Sequence, residues 1–311
     1  MVETSGLNTR RALARGTAAA LTAALLATGA SAAFAADAHG RTASQATAHA
    51  TASGATKHTA VAGLRDAQIN ALYGDDGNGD LWGYAPQGDG TLGSRTSSGA
   101  GWKDARFITQ VDQNADGASD GIWDVTGSDL TYTGWDDSAD VYVGTGWNIY
   151  NKVLSAGNLG GAAADDLIAR DGSGVLWIYL GYGNGKLAAR SKVGSGWNIY
   201  TEIAGKGDLT GDGKDDIVAR DSSGVLWLYK GTGDYKAPFA PRTRIGSGWN
   251  AYNSLVSVGT VNYNQDRITD LVARDTSGAL WLYKGTGNAA APFASRVQIG
   301  TGGWNTYRLL F

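Results

Sequence analysis

From about residue 61 to the C-terminus, short apolar runs alternate with polar turns, and no stretch sustains a helical period. Val225-Leu226-Trp227-Leu228-Tyr229 is apolar throughout, Ile217-Val218-Ala219 precedes it, and Asp221-Ser222-Ser223-Gly224 separates the two. Short β-branched and aromatic runs bounded by Gly, Asp and Ser read as strands, with the Gly free to take the positive φ of a tight turn. The spacing predicts strands over Asp216–Arg220, Val225–Lys230 and Arg242–Ile245, then one over Trp249–Val258 that enters the next unit. A strand apolar on both faces lies between two sheets.

This pattern recurs. Gly-Trp stands in phase at Trp102, Trp147, Trp197, Trp249 and Trp304, separated by 45, 50, 52 and 55 residues. A second mark precedes most of them, at Leu81-Trp82, Leu176-Trp177, Leu226-Trp227 and Leu280-Trp281. A period of this size belongs to a propeller or a solenoid. Strands buried on both faces with no helix to cover them demand stacked sheets, and radial closure protects their edges. The expectation is an all-β, five-bladed β-propeller of four-stranded blades. Its blades fall at about 61–107, 108–154, 155–204, 205–256 and 257–311, and a flat solenoid is the alternative. The apolar C-terminal stretch Trp304–Phe311 has no following unit, and the first unit lacks an inner strand. The ring is therefore expected to close by pairing the two.

Composition narrows the chemistry. The chain has 311 residues, 47 Gly, 11 Trp and no Cys. Its three His are His39, His49 and His58, all ahead of the repeats. The repeat region thus has neither a Ser-His-Asp triad nor His- or Cys-ligated zinc. Net charge is −3 overall, and the acids of the repeat region are Asp apart from Glu202. A mildly acidic domain without a basic run is no match for nucleic acid. Asp is a turn residue and a calcium ligand.

The N-terminus reads as an address. Arg10, Arg11 and Arg15 precede an apolar Ala/Leu run to about Ala27, followed by Ala33-Phe34-Ala35. This is the pattern of a secretory signal peptide over 1–35, too short to span a bilayer, which implies a secreted, extracellular protein. Thr9-Arg10-Arg11-Ala12-Leu13 also has the look of a twin-arginine signal. Residues 36–60 form a low-complexity Ala/Thr/Ser/His leader, expected to be disordered.

Two loops carry oxygen donors at alternating positions. One offers Asp112, Asn114, Asp116, the carbonyl of Ala118, and Asp120. The other offers Asp208, Thr210, Asp212, the carbonyl of Lys214, and Asp216. All-oxygen donors with Gly at position six suit Ca²⁺, and a turn held by Asx side chains without metal is the alternative. The related stretches Asn158–Asp166 and Asn262–Asp270 have lost parts of the pattern.

The aromatic marks admit two readings. Trp147-Asn148-Tyr150, Trp197-Asn198-Tyr200 and Trp249-Asn250-Tyr252 are either packing between blades or sugar platforms, with rings for C–H faces and amides for hydroxyls. Trp123 and Trp135 are out of phase. Trp135, beside Asp136 and Asp137, is expected in an exposed loop and is a further ligand candidate. Arg170-Asp171, Arg220-Asp221 and Arg274-Asp275 are expected as rim salt bridges.

The Asp-x-x-x-Asp-Gly-x-x-Asp loop followed by an apolar strand resembles the FG-GAP/VCBS repeat of integrin-type propellers. Ile299-Gly300-Thr301-Gly302-Gly303-Trp304 is similar to the repeat of tachylectin-2-like five-bladed propellers. The resemblance covers about 61–311 and implies a secreted propeller that binds carbohydrate or protein. With no nucleophile elbow and no phosphate loop, the residues point to a non-enzymatic, lectin-like protein with structural calcium and a carbohydrate or glycoconjugate partner. The alternative is a protein-interaction subunit of a larger secreted assembly, such as a lectin-bearing toxin particle. A two-carboxylate hydrolase is a third class.

Overall fold

The computed structural model describes residues 68–136, 138–262 and 267–311. The signal peptide, the leader, the three histidines, Asp137, Asn264 and Asp266 lie outside the described residues. Among the described residues, twenty strands form five four-stranded antiparallel sheets. Blade one holds β1 (Leu72–Asp76), β2 (Asp80–Tyr84) and β3 (Thr96–Ala100). Blade two holds β4 (Ala105–Val111), β5 (Gly121–Thr126), β6 (Asp129–Gly134) and β7 (Val141–Thr145). Blade three holds β8 (Tyr150–Gly157), β9 (Asp166–Asp171), β10 (Leu176–Tyr179) and β11 (Ser191–Gly194). Blade four holds β12 (Tyr200–Ala204), β13 (Ile217–Asp221), β14 (Leu226–Tyr229) and β15 (Thr243–Gly246). Blade five holds β16 (Tyr252–Val256), β17 (Leu271–Asp275), β18 (Leu280–Tyr283) and β19 (Val297–Gly300). The last strand, β20 (Tyr307–Leu310), pairs antiparallel with β1, with Gly74 opposite Leu310. The ring closes as expected, and the first blade's missing inner strand comes from the C-terminus.

The Gly-Trp mark has a backbone cause. Gly146, Gly196, Gly248 and Gly303 sit at φ of 90, 84, 88 and 86°, where a side chain is strained. Each starts one 3₁₀ turn that drops its Trp inward and launches the next blade's inner strand. Trp147, Trp197, Trp249 and Trp304 are buried between blades, as are Tyr150, Tyr200, Tyr252 and Tyr307. The strand apolar on both faces serves two interfaces. Leu226 and Leu228 pack toward blade five, whereas Trp227 and Tyr229 pack toward blade three.

The inner strands converge, and their polar groups meet near the axis. Lys206 Nζ of blade four donates to Asp165 of blade three at 2.7 Å and to the Gln110 carbonyl of blade two at 2.8 Å. Ahead of β1, Ile69 N–H donates to Gly117 O of blade two, and Asn70 N–H donates to Val258 O of blade five.

One guanidinium ties each blade to the next. Arg170 donates to the carbonyls of Trp197 and Tyr200, Arg220 to those of Trp249 and Tyr252, and Arg274 to those of Trp304 and Tyr307. The expected rim salt bridges are therefore not formed within these Arg-Asp pairs. Successive residues on a strand face opposite ways, so Asp171, Asp221 and Asp275 turn instead to a Trp ring. In blades one and two the arginine moves to the inner strand. Arg308 donates to Trp102 O and Ala105 O, and Arg106 donates to Tyr150 O.

Candidate functional site

Four blades carry the same cluster. In blade three, β10 directs Trp177 and Tyr179 to one face. Trp177 Nε1 donates to Asp171 Oδ2 at 2.9 Å, and the Arg190 guanidinium lies over the indole with its carbon 4.1 Å from the ring centroid. Arg190 Nη1 donates to the Tyr150 hydroxyl at 2.6 Å, and that hydroxyl lies 2.5 Å from the Tyr179 hydroxyl. Blade four repeats this with Trp227, Asp221, Arg242, Tyr200 and Tyr229, and blade five with Trp281, Asp275, Arg296, Tyr252 and Tyr283. Blade one has Trp82, Asp76, Arg95, Tyr84 and Tyr307, with Arg95 at 4.4 Å from the indole centroid. The arginines are exposed and the indoles half-buried.

The electrostatics leave the four arginines without a direct ion pair among the described residues, although Arg242 and Asp221 attract each other across the Trp227 ring. Burial and the partner hydroxyl push the phenols of Tyr84, Tyr179, Tyr229 and Tyr283 well above their ordinary value, so they stay neutral. Burial is the largest single effect on Asp171 and pushes it up, but hydrogen bonds from Ser173, Trp177 and the turn amides together outweigh it and hold the carboxyl down to about 2. Its charge is spent on those donors.

Blade two lacks the cluster. By strand register, Thr131 stands in place of Trp177, Thr133 in place of Tyr179, and Asp140 in place of Arg190. Ala105 replaces Tyr150 at the head of the inner strand. Thr133 Oγ1 donates to Asp140 at 2.9 Å instead. The blade forms all the same, so the cluster is no requirement of blade architecture.

The expected site residues are brought together only in part. Tyr150, Tyr200 and Tyr252 contribute hydroxyls to the clusters. Trp147, Trp197 and Trp249 lie behind them as core, with centroids 4.7, 4.6 and 4.7 Å from the rings of Tyr179, Tyr229 and Tyr283. Their apolar faces are covered, which corrects the reading of these rings as open platforms. Asn148, Asn198 and Asn250 are exposed, and Asn250 donates to the Ser222 carbonyl across the blade boundary. Trp135 is not in an exposed loop. It is 5% exposed, stacks on Tyr73 at 5.5 Å and donates from Nε1 to Ser119. Asp136 accepts from Ser138 N–H. Trp123 is likewise buried, donating to the Gly185 carbonyl. The arginines escaped notice in the sequence, although each follows its Leu-Trp mark by 13 or 15 residues.

The two acidic loops are closed by their own side chains. Asp112 accepts from the amides of Asn114, Ala115 and Gly117 and from the Gln68 side chain. Asp120 accepts from Gln113 N–H and the Asn114 amide, and Asp116 accepts from Ala118 N–H. This is an Asx-held turn with its donors engaged. In the second loop Asp208 accepts from Thr210, Gly211 and Gly213, and Asp212 pairs with Lys230 at 3.1 Å. Among the described residues no three acidic side chains are gathered as a metal cage. The second loop still differs from the first. Thr210 Oγ1, its position-three oxygen, is buried without a hydrogen-bond partner. Burial, then Asp208 and Asp212, push Asp216 up to about 7 despite two backbone amides. A spare oxygen among repelling carboxylates fits a cation.

No family model and no curated protein matches the chain. Among solved structures it is similar to the BP39L lectin of Burkholderia pseudomallei, with 13% identity over 77% of this chain and 72% of that one, at a TM-score of 0.47. It is also similar to Prp20p of Saccharomyces cerevisiae, a protein that binds Gsp1p and histones, with 10% identity over 72% and 60% of the two chains and a TM-score of 0.36. The WD40 domain of SCAP from fission yeast is 8% identical over 76% and 57%, at 0.33. Likenesses at this level leave the ligand to be argued from the chain's own residues.

Proposed function

We propose that the protein is a secreted, non-enzymatic, carbohydrate-binding propeller that displays one shallow site on each of four blades. One observation carries this reading. The Trp–Arg–Tyr–Tyr cluster recurs at equivalent surface positions in four blades, and blade two folds without it. Repeated half-buried indoles flanked by fixed polar groups suit sugar rings, and linked weak sites add avidity on a multivalent surface. Catalysis calls for a single differentiated site, whereas these clusters are copies of one another. Export is supported by the pattern of residues 1–35. The test is a glycan array probed with the full chain. Signal on multivalent glycans supports the reading, and silence together with a co-purifying protein supports an interaction subunit instead.

Calcium enters as a second proposal, confined to the loop of Asp208, Thr210, Asp212, Lys214 and Asp216. The unpartnered Thr210 hydroxyl favours it, and Asp212 would have to leave Lys230. The ion would serve as a structural clamp on the blade-four turn.

A further inference from the structure

We propose that the four clusters take the acidic groups of a glycan, its carboxylates or sulfates, on the guanidinium edges of Arg95, Arg190, Arg242 and Arg296. This rests on reading the clusters as carbohydrate sites and adds the ligand's charge.

The first argument is the state of the guanidinium. The ion pairs among the described residues involve Lys152, Lys206, Lys230 and Arg308, and none involves these four arginines. Each is exposed in a protein of net charge −3, yet has no carboxylate at ion-pair distance among the described residues. Each is also held in place. The indole carries it from below at 4.0 to 4.4 Å, and in blades three to five a tyrosine hydroxyl accepts one of its N–H groups. A guanidinium offers five donors in a rigid fork, which matches a carboxylate or sulfate. With its plane fixed, less side-chain entropy is lost on binding.

The second argument is the neighbouring strand. The residue paired with the indole lies on the same sheet face. It is Lys192 opposite Trp177 and Arg244 opposite Trp227, both exposed, but Gln298 opposite Trp281 and Ser97 opposite Trp82. Blades three and four thus present a second cation beside the first. Asp171 and Asp221, the acids nearest these rings in sequence, are turned onto Trp Nε1 and turn amides. Separate basic spots, one to a blade, fit intermittent acidic sugars. A nucleic acid backbone asks for a continuous basic track.

The test immobilises polygalacturonate, its methyl ester, dextran sulfate, dextran and duplex DNA, and measures binding of the full chain. The expected result is binding to polygalacturonate or dextran sulfate at least about tenfold tighter than to the methyl ester and dextran. Which of the two anions binds identifies carboxylate or sulfate as the recognised group. Arg190→Gln with Arg242→Gln should abolish most of this preference with the melting curve kept, and Arg242→Lys should weaken it less. Equal binding to dextran or the methyl ester overturns the acidic-ligand inference and leaves the carbohydrate reading standing. DNA bound as tightly as the acidic polysaccharides also overturns it. A chain silent on these probes and on a broad glycan array overturns both.

Discussion

Arg308, on the strand that closes the ring, forms an ion pair with Asp75 on the neighbouring strand of blade one. The same guanidinium donates to Ala105 O at 2.6 Å and to Trp102 O at 2.5 Å in blade two. One side chain thus joins the last residues to the first blade and the first blade to the second. Asp75 is fully buried. Above about pH 7, where Asp75 is ionised, removing the cation leaves a buried carboxylate unpaired, so there Arg308→Ala should cost about 3 kcal/mol. Asp75→Asn in that background should recover part of the loss. Chemical denaturation of the single and double variants checks this. Deleting Arg308–Phe311 should cost more, because it strips β1 of its partner and exposes its edge to aggregation.

Trp135→Ala should destabilise by roughly 3–5 kcal/mol, since the ring is buried against Tyr73 and a cavity would remain. A folded variant that melts like the parent would put the ring at the surface after all. The denaturation midpoint measures it.

Stability should depend on pH through the buried acids, Asp75, Asp166 and Asp216 among them. Burial raises Asp75 to about 7 despite Arg308, and raises Asp166 to about 6 despite three backbone amides. A carboxyl with a raised folded value favours the folded state when protonated. That contribution is complete below the ordinary value near 4 and is lost as pH rises through about 6 to 7. Asp171 and Asp275, held down to about 2, act in the opposite sense and lose their contribution as pH falls from about 4 toward 2. The melting temperature should therefore be highest between about pH 4 and 6. A steady rise from pH 5 to 8 would contradict the assignment of Asp75 and Asp166.

For the Asp208 loop, a chelator should lower the melting temperature of protein purified with calcium, and Asp212→Ala should remove that response. Asp116→Ala in the Asx-held loop should leave it intact. An unchanged melting curve with and without chelator would remove calcium from the account.

The repeat period and the two-sided apolar strands made the blade count and the closing strand legible before any coordinates. Burial at the turns was not legible. Trp135 stands next to two acids, just past the end of β6, but its ring packs in one cluster with Tyr73 of β1 and Phe311, residues far away in sequence. The Gly-Trp mark showed where each unit turns, yet the repeat alone could not say whether its ring faced water. The arginine of each cluster was hidden because its distance from the Leu-Trp mark shifts with the loop between the last two strands. Only the pairing of Trp177 with Lys192, and its equivalents, brings Arg190 and its counterparts into register.

The central claim is that four blades carry ligand sites and the second does not. The most direct measurement compares the full chain with a variant carrying Arg95→Gln, Arg190→Gln, Arg242→Gln and Arg296→Gln on one glycan array, with melting curves for both. Exposed stacked cations add only about 0.5–1 kcal/mol each to stability, so the variant should stay folded. The account predicts array signal from the parent and its loss from the folded variant. A folded variant that keeps the parent's signal would contradict it.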